Sequence, residues 1–169
     1  NYAGAVSIFV SQINKISKFK STTKIYGNTD YKKTFKCNYV NIPLNKSKLR
    51  FTSQSKKYIK EFTKIELNEK SDLIEIHNRP DYVDKLFNIN KNLVLYFHNN
   101  PQDMKSSKSL NDRINLIKKT KKIIFNSKWT KNKFLNGIKT NSKLNNKLEV
   151  IYQSTNKKKV NFSKKKKYI

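Results

Sequence analysis

Leu93-Val94-Leu95-Tyr96-Phe97-His98 is an almost unbroken apolar run, closed by a histidine and followed at once by Asn99-Asn100-Pro101. The run is too short for a buried helix and rich in aromatic and branched side chains, so it reads as a strand covered on both faces. The proline ends it. Strands buried on both sides belong to parallel sheets, whose neighbours must be joined by crossovers, usually helical.

The flanking sequence supplies such crossovers. Upstream, Leu73-Ile74-Glu75-Ile76-His77 is a strand ended by Asn78-Arg79-Pro80, and Asp81 to Phe87 is a short helix. Downstream, Ser109-Leu110-Asn111-Asp112 has the form of a capping box and opens a helix through Leu110, Ile114 and Ile117. Lys122-Ile123-Ile124-Phe125-Asn126 follows as a strand. Ser127 then caps a helix through Trp129 and Phe134, both read as core, which stops at Gly137. Leu148 to Tyr152 is the last strand.

Toward the beginning, Phe51 to Lys70 carries Tyr58, Ile59, Phe62 and Ile65 on one helical face. Tyr39 to Leu44 and Thr23 to Tyr26, the latter closed by Gly27, read as short strands. Val6, Phe9, Val10, Ile13 and Ile16 lie at helical spacing just after Gly4. Alternating strands and helices predict an α/β fold, a Rossmann-like parallel sheet with helices on both faces. Residues 1–155 are expected to form one domain, with its first strand missing. Residues 156–169 read as a basic linker leading out of it.

The formal net charge of the 169 residues is +27, and only Arg50, Arg79 and Arg113 among 38 basic residues are arginines. A lysine- and asparagine-rich composition follows from AT-rich coding, and it equally suits anionic membranes, phosphorylated ligands or nucleic acid. No apolar run approaches a membrane span, and no signal peptide opens the chain. The single Cys37 excludes an internal disulfide and points to a reducing cytoplasm. The missing initiator methionine and the abrupt end at Ile169 are read as marks of a fragment.

In open parallel sheets ligands bind beyond the carboxyl ends of the strands. Both histidines of the chain, His77 and His98, stand there, beside Asn78 and Arg79 and beside Asn99 and Asn100. Adjacent strands would bring the imidazoles to one rim, where they could donate to hydroxyl or anionic groups. Arg79 offers a planar fork for phosphate or carboxylate. Gly4, before the first helix, and Ser127 with Lys128 are candidates to face a phosphate, although Ser127 also serves as a helix cap. The helix face with Lys56, Lys57, Lys60 and Lys64 is a solvated surface or a membrane-docking patch. No metal-ligand spacing, nucleophile elbow or P-loop is present, so no metal and no cofactor are expected.

The succession Ile74-Glu75-Ile76-His77-Asn78-Arg79-Pro80, Leu95-Tyr96-Phe97-His98-Asn99-Asn100-Pro101, Ile123-Ile124-Phe125-Asn126-Ser127-Lys128-Trp129 with Phe134, and Val150-Ile151-Tyr152 resembles the N-terminal domain of family 4 (group 1) glycosyltransferases, closest to bacterial members that build lipopolysaccharide and other surface glycans. The resemblance implies the N-terminal half of a GT-B fold. It implies a retaining, metal-independent transfer of a sugar from a nucleotide-sugar donor to a glycan or lipid-linked acceptor. It places His98 near the transferred sugar as the catalytic-site histidine. Gly4, Ser127 and Lys128 then face the donor, and His77, Asn78, Arg79, Asn99 and Asn100 line the acceptor side. The chain departs from the family in having one glycine rather than a pair at Ala3-Gly4-Ala5, and in lacking the donor-binding domain, so the fragment is expected to be inactive alone. A cytoplasmic location, peripheral on the inner face of the membrane, goes with this reading. The alternative is a non-catalytic Rossmann-like module that binds nucleic acid or docks on a membrane. The absence of zinc-finger, RNP-like or basic heptad motifs makes nucleic acid the weaker partner.

Overall fold

The computed structural model describes residues 4–30, 35–44 and 53–153; the expected linker lies outside them. In chain order come α1 (Ala5–Ile16), β1 (Ile25–Gly27), β2 (Tyr39–Asn41), α2 (Gln54–Glu69), β3 (Ile74–His77), α3 (Val83–Phe87), β4 (Leu93–Phe97), α4 (Leu110–Lys119), β5 (Lys122–Phe125), α5 (Lys128–Leu135), α6 (Ser142–Asn145) and β6 (Leu148–Val150). Short 3-10 turns at Pro80–Tyr82 and Pro101–Asp103 follow β3 and β4. Every strand pairing is parallel. The main sheet runs β3-β4-β5-β6, and β1-β2 form a second, two-stranded ladder. The fold is therefore α/β with parallel sheets flanked by helices, as expected. All five residues of β4 are buried, as its continuous apolar sequence requires.

A sheet filled in sequence order by right-handed crossovers puts all its connecting helices on the same side. Packing agrees. Ile74, Ile76, Leu93, Leu95, Phe97, Ile123, Phe125 and Leu148 of the strands join Ile59 and Phe62 of α2, Leu86 of α3, Leu116 of α4 and Phe134 of α5 in one core. Phe134 sits between Phe97 and Phe125 at centroid distances of 5.5 and 5.3 Å. The small ladder joins this core through α2, where Phe62 meets Tyr26 at 5.1 Å, and Glu69 accepts hydrogen bonds from Tyr26 and Lys24. Helix α1 lies against the opposite face of the main sheet, its Phe9 packed on Tyr96 and His98.

Local signals are realised as the sequence dictates. Ser109 and Asp112 make both bonds of a capping box. Ser53 and Ser127 cap α2 and α5. Gly137, with φ of 79°, takes the left-handed position just beyond α5 that a residue with a Cβ resists.

Two expectations need correction. Trp129 is not core: it is 56% exposed, with the Lys133 ammonium 5.5 Å from its ring centroid. Five residues separate it from Phe134, about 140° around a helix, and the buried stripe is instead Thr130 and Phe134, four apart. Helix α1 is present, but Ile13 and Ile16 are exposed while Ser11 and Asn14 are buried. The sheet face beneath it presents Glu75, His77, Tyr96 and His98 beside the aliphatic Val94 and Ile124.

Candidate functional site

The register pairs His77 with Tyr96, so His98, two residues on, projects from the same face just past the end of β4. The three rings stack: His77 on Tyr96 at 5.5 Å, Tyr96 on His98 at 4.3 Å, and His77 on His98 at 5.2 Å. Phe9 closes the stack edge-on from α1, 5.1 Å from His98 and 6.3 Å from His77. The two imidazoles meet directly, Nδ1 of His77 lying 2.9 Å from Nε2 of His98.

The hydrogen-bond partners at either end fix the proton positions. Nε2 of Gln153, beyond β6, donates to Nδ1 of His98 at 2.6 Å. His98 therefore carries its proton on Nε2 and donates to Nδ1 of His77. The His77 proton is then on Nε2, 3.0 Å from the Glu75 carboxylate. Gln153, His98, His77 and Glu75 form a single donor-to-acceptor chain ending on a negative charge.

Electrostatics follow from this arrangement. Burial, helped by the neighbouring His77, pushes the His98 imidazole down to about 4, against the opposing pull of Glu75. The hydrogen bond from His77 holds the Glu75 carboxyl below the usual carboxylate range. Burial, with the Glu75 charge, raises the Tyr96 phenol, whose hydroxyl donates to the Ile151 carbonyl at 2.8 Å. At neutral pH His98 is an uncharged donor.

The asparagines lock the rim. Asn78 adopts a left-handed conformation, φ 54°, and its N–H donates to the Tyr96 carbonyl. Its side-chain oxygen accepts from the His98 N–H at 2.8 Å, and its amide donates to Asn99 at 3.3 Å. Asn126 donates to the His98 carbonyl at 2.7 Å and accepts from Thr130, which Ser127 also contacts.

The sequence matches no protein-family model, and comparison with curated proteins and with solved structures finds no match.

Of the expected residues, His77, Asn78, His98 and Asn99 come together. Ser127 joins them through Asn126 and Thr130, and it is also the cap of α5. Asn100 serves locally, accepting from the Gln102 N–H and donating to Asp103. Arg79 and Lys128 are exposed, and neither enters the ion pairs formed among the described residues. Gly4 caps α1 with ordinary extended angles, and a Cβ there would meet open space, so its backbone does not require glycine.

Glu75, Tyr96, Gln153, Phe9 and Asn126 were not singled out in the sequence. Two-residue alternation places Glu75 on the face of His77 and Tyr96 on that of His98, so those two were within reach. Gln153 had no local signal. Among the described residues no group of histidine, cysteine and carboxylate side chains could hold a metal ion.

Proposed function

We propose that this chain is the acceptor-side, Rossmann-like half of a retaining glycosyltransferase that moves a sugar from a nucleotide-sugar donor to a glycan or lipid-linked acceptor. The observation that supports it is the His77–His98 pair, in direct contact at the carboxyl rim of a parallel sheet, where ligands of such sheets bind. The resemblance of the strand-end motifs to family 4 glycosyltransferases supplies the reaction class.

Every ring nitrogen of the pair is already occupied. His77 is held between Glu75 and His98, so the replaceable partner is Gln153 on Nδ1 of His98. A sugar hydroxyl would take the place of the Gln153 amide and donate to that nitrogen. Transfer develops negative charge on the departing diphosphate and loosens the proton of the attacking hydroxyl. His98 orients a hydroxyl in this scheme and is not a nucleophile. Its lowered basicity keeps it neutral and able to accept. Arg79, Lys128 and Gly4 are the groups offered to phosphate or acceptor, and Asn78, Asn99 and Asn100 border the acceptor side.

The test is transfer by the protein in its complete reading frame, assayed over a panel of nucleotide sugars with oligosaccharide and lipid-linked acceptors. Transfer is expected in the wild type, and a folded His98→Ala variant should lose about 100-fold in kcat. Unchanged turnover in that variant, or no transfer from any donor, overturns the reading. The net charge of +27 favours one other reading, a nucleic-acid-binding module. Salt-dependent binding to heterogeneous RNA without any response to sugar nucleotides would support it.

A further inference from the structure

Helix α1 departs in part from the usual segregation of side chains: Phe9 packs on the sheet, but several other positions are reversed. It buries Ser11 and Asn14, whose Oγ and Nδ2 atoms find no hydrogen-bond partner, while Ile8, Ile13 and Ile16 are 40, 44 and 82% exposed. The exposed row continues past the helix end in Phe19, 59% exposed. Phe19 is not on a loose tail. Its N–H bonds to the Ser17 hydroxyl, and its carbonyl accepts from the Thr22 and Thr23 N–H groups and from both threonine hydroxyls. Ile13, Ile16 and Phe19 thus form an exposed apolar ridge whose far end is held by hydrogen bonds.

Charge says what covers it. Lys15, Lys18 and Lys20 are exposed along the ridge, the Lys18 ammonium lying 5.0 Å from the Phe19 ring, and the first acidic residue of the chain is Asp30. A second copy of a chain with net charge +27 would be repelled. An apolar ridge edged by lysines, whose alkyl stems lie along apolar surface while their ammonium groups reach outward, matches the boundary between acyl chains and anionic headgroups. We propose that the Ile13–Ile16–Phe19 ridge, with Lys15, Lys18 and Lys20, docks this protein on an anionic lipid bilayer. The docking face is α1 and not the lysine face of α2, and the inference stands independently of sugar transfer.

The complete chain is sedimented with vesicles of phosphatidylcholine alone and of phosphatidylcholine mixed with phosphatidylglycerol. Binding is expected only to the mixed vesicles. Ile16→Ser/Phe19→Ser, which leaves the charge unchanged, should reduce it to background. Lys15→Gln/Lys18→Gln/Lys20→Gln should weaken it about 100-fold. A charge control, Lys56→Gln/Lys57→Gln/Lys60→Gln/Lys64→Gln, should weaken it less than the α1 triple variant. Phe19→Trp in a Trp129→Phe background should shift its fluorescence to the blue on binding, an independent reading of insertion. The proposal fails if Ile16→Ser/Phe19→Ser binds like the wild type, or if the α2 variant loses as much as the α1 variant. It fails equally if the same apolar substitutions abolish binding to soluble polyglutamate, or if they dissociate a dimer seen in sedimentation velocity. In those cases the ridge serves an acidic protein or a second copy.

Discussion

The Gln153 amide donates to Nδ1 of His98 at 2.6 Å, so a residue just past β6 helps set the tautomer of an imidazole 55 positions earlier. Because His98 donates in turn to His77, and His77 to Glu75, the amide at one end and the carboxylate at the other orient the two imidazoles between them.

Both imidazoles are therefore expected as Nε2–H tautomers at neutral pH. Long-range proton–nitrogen NMR correlation measures this directly. In Glu75→Ala/Gln153→Ala, which removes both ends of the relay, the His98 ring should lose its fixed tautomer and exchange between the two forms, while the fold, whose core neither residue enters, is retained. A single unchanged tautomer in the variant would refute the relay.

Acid should weaken the fold through His98. The folded imidazole protonates near 4 and the unfolded one near its ordinary 6.5, so the unfolded chain holds more protons between those values. The stability contributed by the neutral ring is complete above pH 6.5, falls as pH drops toward 4, and changes no further below that. The full effect is about 3 kcal/mol. Urea titrations at pH 7 and 4.5 should show the fall, and His98→Asn should flatten it.

Phe134→Ala should cost roughly 3–5 kcal/mol, because Phe134 is fully buried against Phe97 and Phe125. Trp129→Ala, five residues earlier and exposed, should stay within about 0.5 kcal/mol of the wild type. Urea midpoints at constant m-value separate the two.

Gly137→Ala should destabilise by about 1 kcal/mol, because its φ of 79° is unfavourable for a residue with a Cβ. Gly4→Ala should not, having ordinary angles and open space. If Gly4→Ala in the complete protein lowers the response to nucleotide sugars without a change in thermal unfolding, the loss belongs to the ligand.

The parallel sheet was legible because β4 is apolar throughout, and because β3 is closed by Asn78-Arg79-Pro80 and β5 by Asn126-Ser127. The caps at Ser109 and Ser127 and the stop at Gly137 were legible for the same reason, since each is a local interaction within four residues. The meeting of His77 with His98 followed from strand adjacency alone. What failed was orientation. Periodicity in α1 revealed a stripe but not which of its side chains the sheet would take, and the mixed polar and apolar sheet face takes Phe9 and leaves Ile13 and Ile16 exposed. Helix α6, a single turn, carried too short a pattern to be read. Gln153, past β6, reaches His98, past β4, across the intervening β5, a contact no local pattern encodes.

Asn78 has one more consequence. Its left-handed turn lets the residue after His77 grip the backbone of His98, while Asn126 holds the same residue from the other side. The backbone beneath the His98 ring is thereby fixed at both its N–H and its carbonyl, and the ring itself is hydrogen-bonded to His77. A molecule that pulls on one imidazole moves its twin, and the carboxylate behind them feels the displacement, so the rim responds to occupancy as a unit.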